Sequence, residues 1–82
     1  MLILTNDKRV IVNIDNVSKL QVEKIGTDEY RDDYGIKVTL PEEKRTIAIF
    51  RTEERAKEMM EKIVNQYEKG HRVFKITGKG VL

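Results

Sequence analysis

The feature that most constrains the fold is one amphipathic helix, written in residues 52–70 as TEERAKEMMEKIVNQYEKG. Thr52 is a residue type that caps helix N-termini, and Gly70 takes the left-handed conformation that ends helices. Between them, six apolar side chains recur at the spacing that 3.6 residues per turn places on one stripe: Ala56, Met59, Met60, Ile63, Val64 and Tyr67. We predict a helix over residues 52–69 that buries this stripe against a sheet.

The rest of the chain reads as short strands separated by turn residues. The predicted strands cover residues 2–4, 9–14, 17–25, 36–40, 45–50 and 72–77. Strands 36–40 and 45–50 form the clearest hairpin, with Pro41 at the second position of its turn. In residues 9–14, strand alternation places Val10, Val12 and Ile14 on one face and Ile11 and Asn13 on the other. A bend at Asp15-Asn16 follows.

The predicted order of elements is β-β-β-β-β-α-β. Runs of strands followed by a helix are typical of α+β proteins with an antiparallel sheet. We therefore predict the α+β class, with a single antiparallel, curled sheet of about five or six strands packed on the one helix. At 82 residues, the chain is predicted to be a single domain over residues 1–82, with residues 78–82 as a flexible tail. A core of this size gives modest stability, which favours an added dimer interface.

The composition excludes several classes of site. The chain has no cysteine, which excludes disulfides, zinc-thiolate sites and cysteine nucleophiles and fits a reducing compartment. The N-terminal residues lack a basic leader and polar residues interrupt their apolar run, so no secretory signal is predicted. No stretch approaches the roughly 20 apolar residues of a membrane-spanning helix. We expect a cytoplasmic protein with no membrane partner.

No catalytic, metal or cofactor motif is recognised in the sequence. The acidic stretch GTDEYRDDYG at residues 26–35 fails the calcium-loop pattern, because Tyr30 and Asp33 occupy positions that require other residues. We interpret it as a solvated loop. His71 is the sole histidine and Ser18 the sole serine, and neither has a partner at the spacing that catalysis or metal binding requires. We expect no enzymatic activity, no cofactor and no small-molecule substrate.

The sequence leaves two functional hypotheses. The leading hypothesis is a non-catalytic cytoplasmic domain that binds a protein partner or associates with itself. The alternative is a weak nucleic-acid-binding accessory protein that uses the basic segment 69–79, which contains no acidic residue. The candidate contact residues for either role are Lys69, His71, Arg72, Lys75 and Lys79. An ordinary solvated strand face explains the same residues.

Two short motifs suggest a wider group of proteins. They are VNIDNV at residues 12–17 and RTEERAKE at residues 51–58. Together they resemble a loose group of short, uncharacterised proteins from Gram-positive bacteria and their phages, in which several strands precede a helix that starts with similar residues. The resemblance implies a compact α+β domain. It implies no particular activity and supplies no catalytic residue.

Overall fold

A computed structural model describes residues 1–5, 8–26 and 33–76 of the chain. These residues form six strands, one α-helix and a short 3₁₀ helix. In chain order they are β1 (Leu2–Leu4), β2 (Ile11–Asn13), the 3₁₀ helix (Ile14–Asn16), β3 (Lys19–Lys24), β4 (Tyr34–Thr39), β5 (Lys44–Phe50), α1 (Glu53–Glu68) and β6 (Val73–Lys75). The predicted α+β class is confirmed, and so is the order of strands and helix.

The prediction of a single antiparallel sheet is wrong, because the strands divide into two sheets of three. The first sheet has the order β2-β1-β6 and the second sheet has the order β3-β4-β5. The second sheet is antiparallel throughout, and β1 pairs antiparallel with β2. However, β1 pairs in parallel with β6, with Ile3 beside Phe74. The strand after the helix thus returns to the beginning of the chain.

The break between the sheets lies where the sequence predicts a bend. After β2, the chain turns through the 3₁₀ helix, whose first turn is capped by the side chain of Asn13. The Asn13 Oδ1 accepts a hydrogen bond from the Asp15 backbone N–H at 3.0 Å. Since this turn ends the extended backbone of β2, β3 starts a new sheet instead of extending the first one.

The helix begins and ends close to its predicted bounds. Thr52 is the N-cap, and its Oγ1 accepts a hydrogen bond from the Arg55 backbone N–H at 3.2 Å. Gly70 has a φ of +77° and its N–H donates to the Tyr67 carbonyl oxygen at 3.0 Å. A positive φ is easily adopted by glycine, so Gly70 ends the helix as the sequence predicts.

The apolar stripe of the helix is only partly buried. Ala56, Met59 and Ile63 are buried and Met60 is half-buried against the core, but Val64 and Tyr67 are exposed. Val64 lies about 80° around the helix from Ala56, at the edge of the stripe, since each residue turns the helix by about 100°. Tyr67 lies in the last turn, and its hydroxyl donates a hydrogen bond to Asp15 Oδ1.

One hydrophobic core joins the helix to both sheets. Helix α1 packs on all three strands of the second sheet. The buried side chains also include members of the first sheet. The core residues with the lowest exposure are Ile3, Ile36, Val38, Ala56, Ile63 and Ile76. The two sheets therefore turn their inner faces toward a shared interior and their outer faces away from it.

The hairpin predicted at residues 36–50 is present, with two differences. Strand β4 begins at Tyr34, within the predicted loop, and Gly35 is buried there because the Ile25 side chain lies over it. A side chain at Gly35 would collide with Ile25. The register between β4 and β5 also shifts by one residue, so that Ile47 has no partner on β4. Such a bulge increases the local twist.

Some predictions lie outside the described residues. They are the flexible tail over residues 78–82, the candidate residue Lys79 and the centre of the acidic loop, residues 27–32.

We expect the neighbouring helix residues Ile63 and Val64 to respond very differently to truncation. Ile63→Ala should lower the free energy of unfolding by about 2–5 kcal/mol, because it opens a cavity in the core. Val64→Ala should change it by no more than about 0.5 kcal/mol, because the side chain is exposed. Urea denaturation followed by circular dichroism measures both. Equal losses would contradict the described orientation of the helix.

Candidate functional site

The outer face of the first sheet carries four apolar side chains, and we call this surface the apolar face: Leu2, Leu4, Ile11 and Val73. The strand register arranges them in two rows. Leu2 lies between Asn13 and Val73, and Leu4 lies between Ile11 and Lys75. Side chains directly opposite each other on paired strands lie in contact range. The four therefore form one contiguous patch.

The alternation of each strand separates this patch from the core. Ile3 and Val12 are buried. Phe74, which pairs with Ile3 on its other side, is half-buried against the core. Their neighbours on the opposite face remain exposed: Ile11 by 64%, Val73 by 52% and Leu2 by 41%. Isolated exposed apolar residues are common, but contiguous ones usually mark a contact surface. This makes the apolar face the principal candidate for a functional site.

Hydrogen bonds between Thr5 and the residues before β2 position Ile11 on the apolar face. The Thr5 N–H donates to the Val10 carbonyl oxygen at 3.0 Å, and the Val10 N–H donates to Thr5 Oγ1 at 3.3 Å. Lys8 takes a left-handed φ of 62°, which lets its N–H return to the Thr5 carbonyl oxygen at 2.9 Å. These bonds set the register of β2 on β1. A slip of one residue would exchange Ile11 with the buried Val12.

Strand β6 joins the other side of β1 through backbone hydrogen bonds at both of its ends. The Leu2 N–H donates to the Arg72 carbonyl oxygen at 2.8 Å, and the Ile76 N–H donates to the Leu4 carbonyl oxygen at 3.0 Å. These bonds place Val73 beside Leu2. The apolar face therefore combines residues from the two ends of the described chain.

The basic residues predicted as contacts lie in different places. Lys69 caps the C-terminus of the helix, and His71 and Arg72 belong to the turn before β6. Lys75 lies on the outer face of the first sheet, beside Leu4. All four side chains are exposed. Lys75 thus borders the apolar face, while the other three follow the helix end.

A polar contact borders the patch where Asn13 lies. The Tyr67 hydroxyl donates to Asp15 Oδ1 at 3.2 Å, and the Asp15 N–H donates to Asn13 Oδ1 at 3.0 Å. The hydrogen bond to the Asp15 carboxylate, together with its negative charge, raises the pKa of Tyr67 above its ordinary value of 10.0. Asp15 therefore connects the end of the helix to one corner of the first sheet.

Other kinds of site have less support in the described part of the chain. Within it, no group of three or more histidine, aspartate or glutamate side chains is placed to hold a metal ion. An open hollow of about 530 Å³ lies beside the β4–β5 turn, lined by Leu40, Pro41, Glu42 and Glu43. Glu43 already pairs with Arg45 at 3.1 Å. No helix among residues 1–5, 8–26 and 33–76 has the length and apolar character to span a membrane.

No motif in the sequence marks the residues of the apolar face as a site. One indication was present, because the alternation in residues 9–14 separates Ile11 and Asn13 from Val10, Val12 and Ile14. The sequence does not show that β6 pairs in parallel with β1. It is this pairing that brings Val73 beside Leu2.

Comparison with known proteins identifies no relative of this chain. No protein-family model matches it, and neither a curated protein nor a solved structure matches it. The resemblance to short proteins of Gram-positive bacteria and their phages stays a prediction.

We expect Tyr67 to titrate above pH 10, and Asp15→Asn to move its pKa back toward 10.0, because the hydrogen bond to a charged acceptor and the negative charge beside the hydroxyl are both removed. Ultraviolet titration of the tyrosines measures this, and the difference from Tyr67→Phe assigns the change to Tyr67. Because folding raises this pKa, the bond stabilises the fold fully below about pH 10 and is lost as the pH rises through the folded-state pKa. An unchanged Tyr67 titration in Asp15→Asn would contradict the contact.

Proposed function

We propose that this chain is a small non-catalytic protein-interaction domain that associates with a second copy of itself through the apolar face. One observation carries the proposal. Leu2, Ile11 and Val73 are exposed together around the half-buried Leu4, on three strands of one sheet. A hydrophobic surface of this kind is stabilised when a partner removes it from water.

The arrangement of residues on the apolar face fits an interface. The face itself is aliphatic, and the polar residues that border it, Asn13 and Lys75, lie at diagonally opposite corners. Stable interfaces share this pattern of an apolar centre with a polar rim. A lysine at the rim can lay its aliphatic stem on the partner while its ammonium group stays in water. Neither corner therefore opposes association.

A second copy is the favoured occupant because of the size of the chain. With 82 residues, the domain buries a smaller fraction of its surface than larger domains do. Oligomerisation is one of the usual ways in which small domains gain stability. Most soluble oligomers are symmetric dimers in which one patch meets the same patch of its partner. The absence of cysteine supports a reducing location such as the cytoplasm.

Weak nucleic-acid binding by the basic segment is the second candidate function. The observation that favours it is the exposure of Lys69, His71, Arg72 and Lys75, which leaves these side chains accessible to phosphate groups. Their separation between the helix end and the sheet argues for few simultaneous contacts.

The test of self-association compares two glutamate substitutions at exposed apolar positions. We expect the unmodified chain to be a dimer, and Ile11→Glu to weaken it at least about tenfold, because burying an unpaired carboxylate costs more than 1.4 kcal/mol. Val64→Glu is the matched control on the helix, since Val64 is also an exposed aliphatic residue. Light scattering after gel filtration, over a series of protein concentrations, measures the association.

Two outcomes would contradict self-association through the apolar face alone. A chain that remains a monomer at every concentration excludes self-association. Equal dissociation by both variants would place the interface on the helix as well, or would show a general effect of added charge. Circular dichroism of each variant establishes that the fold is retained.

A further inference from the structure

The outer face of the second sheet gathers three lysines that are distant in sequence, and we call this surface the lysine face: Lys19, Lys37 and Lys44. Lys19 of β3 and Lys44 of β5 lie on either side of Thr39 in one row. In the next row, Lys37 lies between Gln21 and Thr46. Since Lys37 and Thr39 are two residues apart on β4, their side chains share this face.

The three lysines form a compact cluster. Neighbouring strands lie about 4.8 Å apart and each residue advances about 3.4 Å, so their Cα atoms are roughly 8–10 Å from one another. Lys19 and Lys44 are exposed, and Lys37 is half-buried. This spacing equals or slightly exceeds the Debye length at physiological salt, about 8 Å, so the lysines repel one another only weakly. A ligand that lies across the face can contact all three of them.

One acidic side chain lies among them. Glu23 Oε2 contacts Lys37 Nζ at 2.7 Å. The hydrogen bond from Lys37 lowers the pKa of Glu23, and the charges of Lys37 and Lys44 add to this effect. Within strands β3, β4 and β5, three lysines against one glutamate leave a net charge of +2 on this face, and Asp33 precedes β4 at its far end. The exposed Glu42 and the Arg45-paired Glu43 lie in the adjacent turn.

The side chains between the lysines are polar, whereas the next row of the same face holds Gly35 and the half-buried Ile49. Thr39, Thr46 and Gln21 fill the spaces between the lysines. The aromatic residues of this sheet, Tyr34 and Phe50, pair with each other on the opposite face. Stacking of bases on aromatic rings is the usual means of holding single-stranded nucleic acid. The lysine face offers ammonium and hydroxyl groups, which bind phosphates without reading bases.

We propose that the lysine face binds the phosphate backbone of double-stranded nucleic acid, without sequence preference. The positive charge of this face complements the negative charge of phosphates, and the register places all three lysines on the same side of the sheet. This surface differs from the segment 69–79, and it is formed by a different sheet from the apolar face. The inference does not depend on self-association, although a dimer would present two such faces.

Two triple substitutions with the same loss of charge test the proposal. One removes the lysine face by Lys19→Gln, Lys37→Gln and Lys44→Gln. The other removes the basic segment by Lys69→Gln, Arg72→Gln and Lys75→Gln. Binding of the full chain to a fluorescent DNA duplex of mixed sequence is measured by anisotropy at increasing salt. A single strand of the same length and vesicles with an anionic lipid serve as comparison ligands.

We expect the first variant to lose at least about tenfold in duplex affinity and its log K to depend less steeply on log salt, by roughly 2–3 in slope. The second variant should keep most of the affinity. Lys19→Gln with Lys44→Gln alone should show a smaller loss in the same direction, and this double variant leaves the Lys37–Glu23 pair intact.

Several results would overturn the proposal. They are absence of duplex binding at low salt, equal losses in the two triple variants, and loss in the second variant alone. Preference for the single strand or for vesicles would also overturn it. Light scattering of the first triple variant separates this outcome from self-association, because the substitutions at Lys19, Lys37 and Lys44 leave the apolar face unchanged.

Discussion

The pairing of β1 with β6 is the constraint on which the rest of the structure depends. Strand β1 is the central strand of the first sheet, and its Ile3 is completely buried in the core. The parallel ladder to β6 connects the start of the chain to the segment after the helix. Helix α1 lies between these two segments in sequence and packs on the second sheet, so the ladder fixes the chain both before and after the helix. Loss of the β1–β6 pairing would expose the buried core residues Ile3 and Ile76.

Local chemistry explains what was predictable about the fold. The Thr52 cap, the Gly70 end and the turn after Leu40 act over a few residues, and the structure has each of them where the sequence predicts. The partner of β1 depends on contacts between residues about seventy positions apart, which no local pattern determines. The sequence predicts the bend at Asp15-Asn16 but not its consequence for the sheets. A capped 3₁₀ turn there ends the ladder of β2 and divides the strands into two sheets.

The candidate surfaces likewise depend on contacts between distant segments, which local sequence patterns do not determine. Lys69, Arg72 and Lys75 are neighbours in the chain and form one basic segment of the sequence, yet they lie in the helix cap, the turn and the sheet. The lysines that share one face come from three strands, and the register of those strands brings them together. A charge pattern along the chain therefore identifies basic segments. Which charged residues share a surface depends on how the strands pair.

The strand sequences themselves distinguish the two outer faces. β3 reads Lys19-Leu20-Gln21-Val22-Glu23-Lys24, an alternation typical of a strand with one side in water. β1 reads Leu2-Ile3-Leu4, and the apolar pairs Ile11-Val12 and Val73-Phe74 lie on either side of it. Continuous apolar runs are typical of strands that are covered on both faces. The described chain covers the face with Ile3 and leaves the face with Leu2 and Ile11 exposed. The strand sequences of the first sheet are thus typical of a sheet that is buried on both faces. A partner bound to the apolar face would bury the face that the described chain leaves exposed.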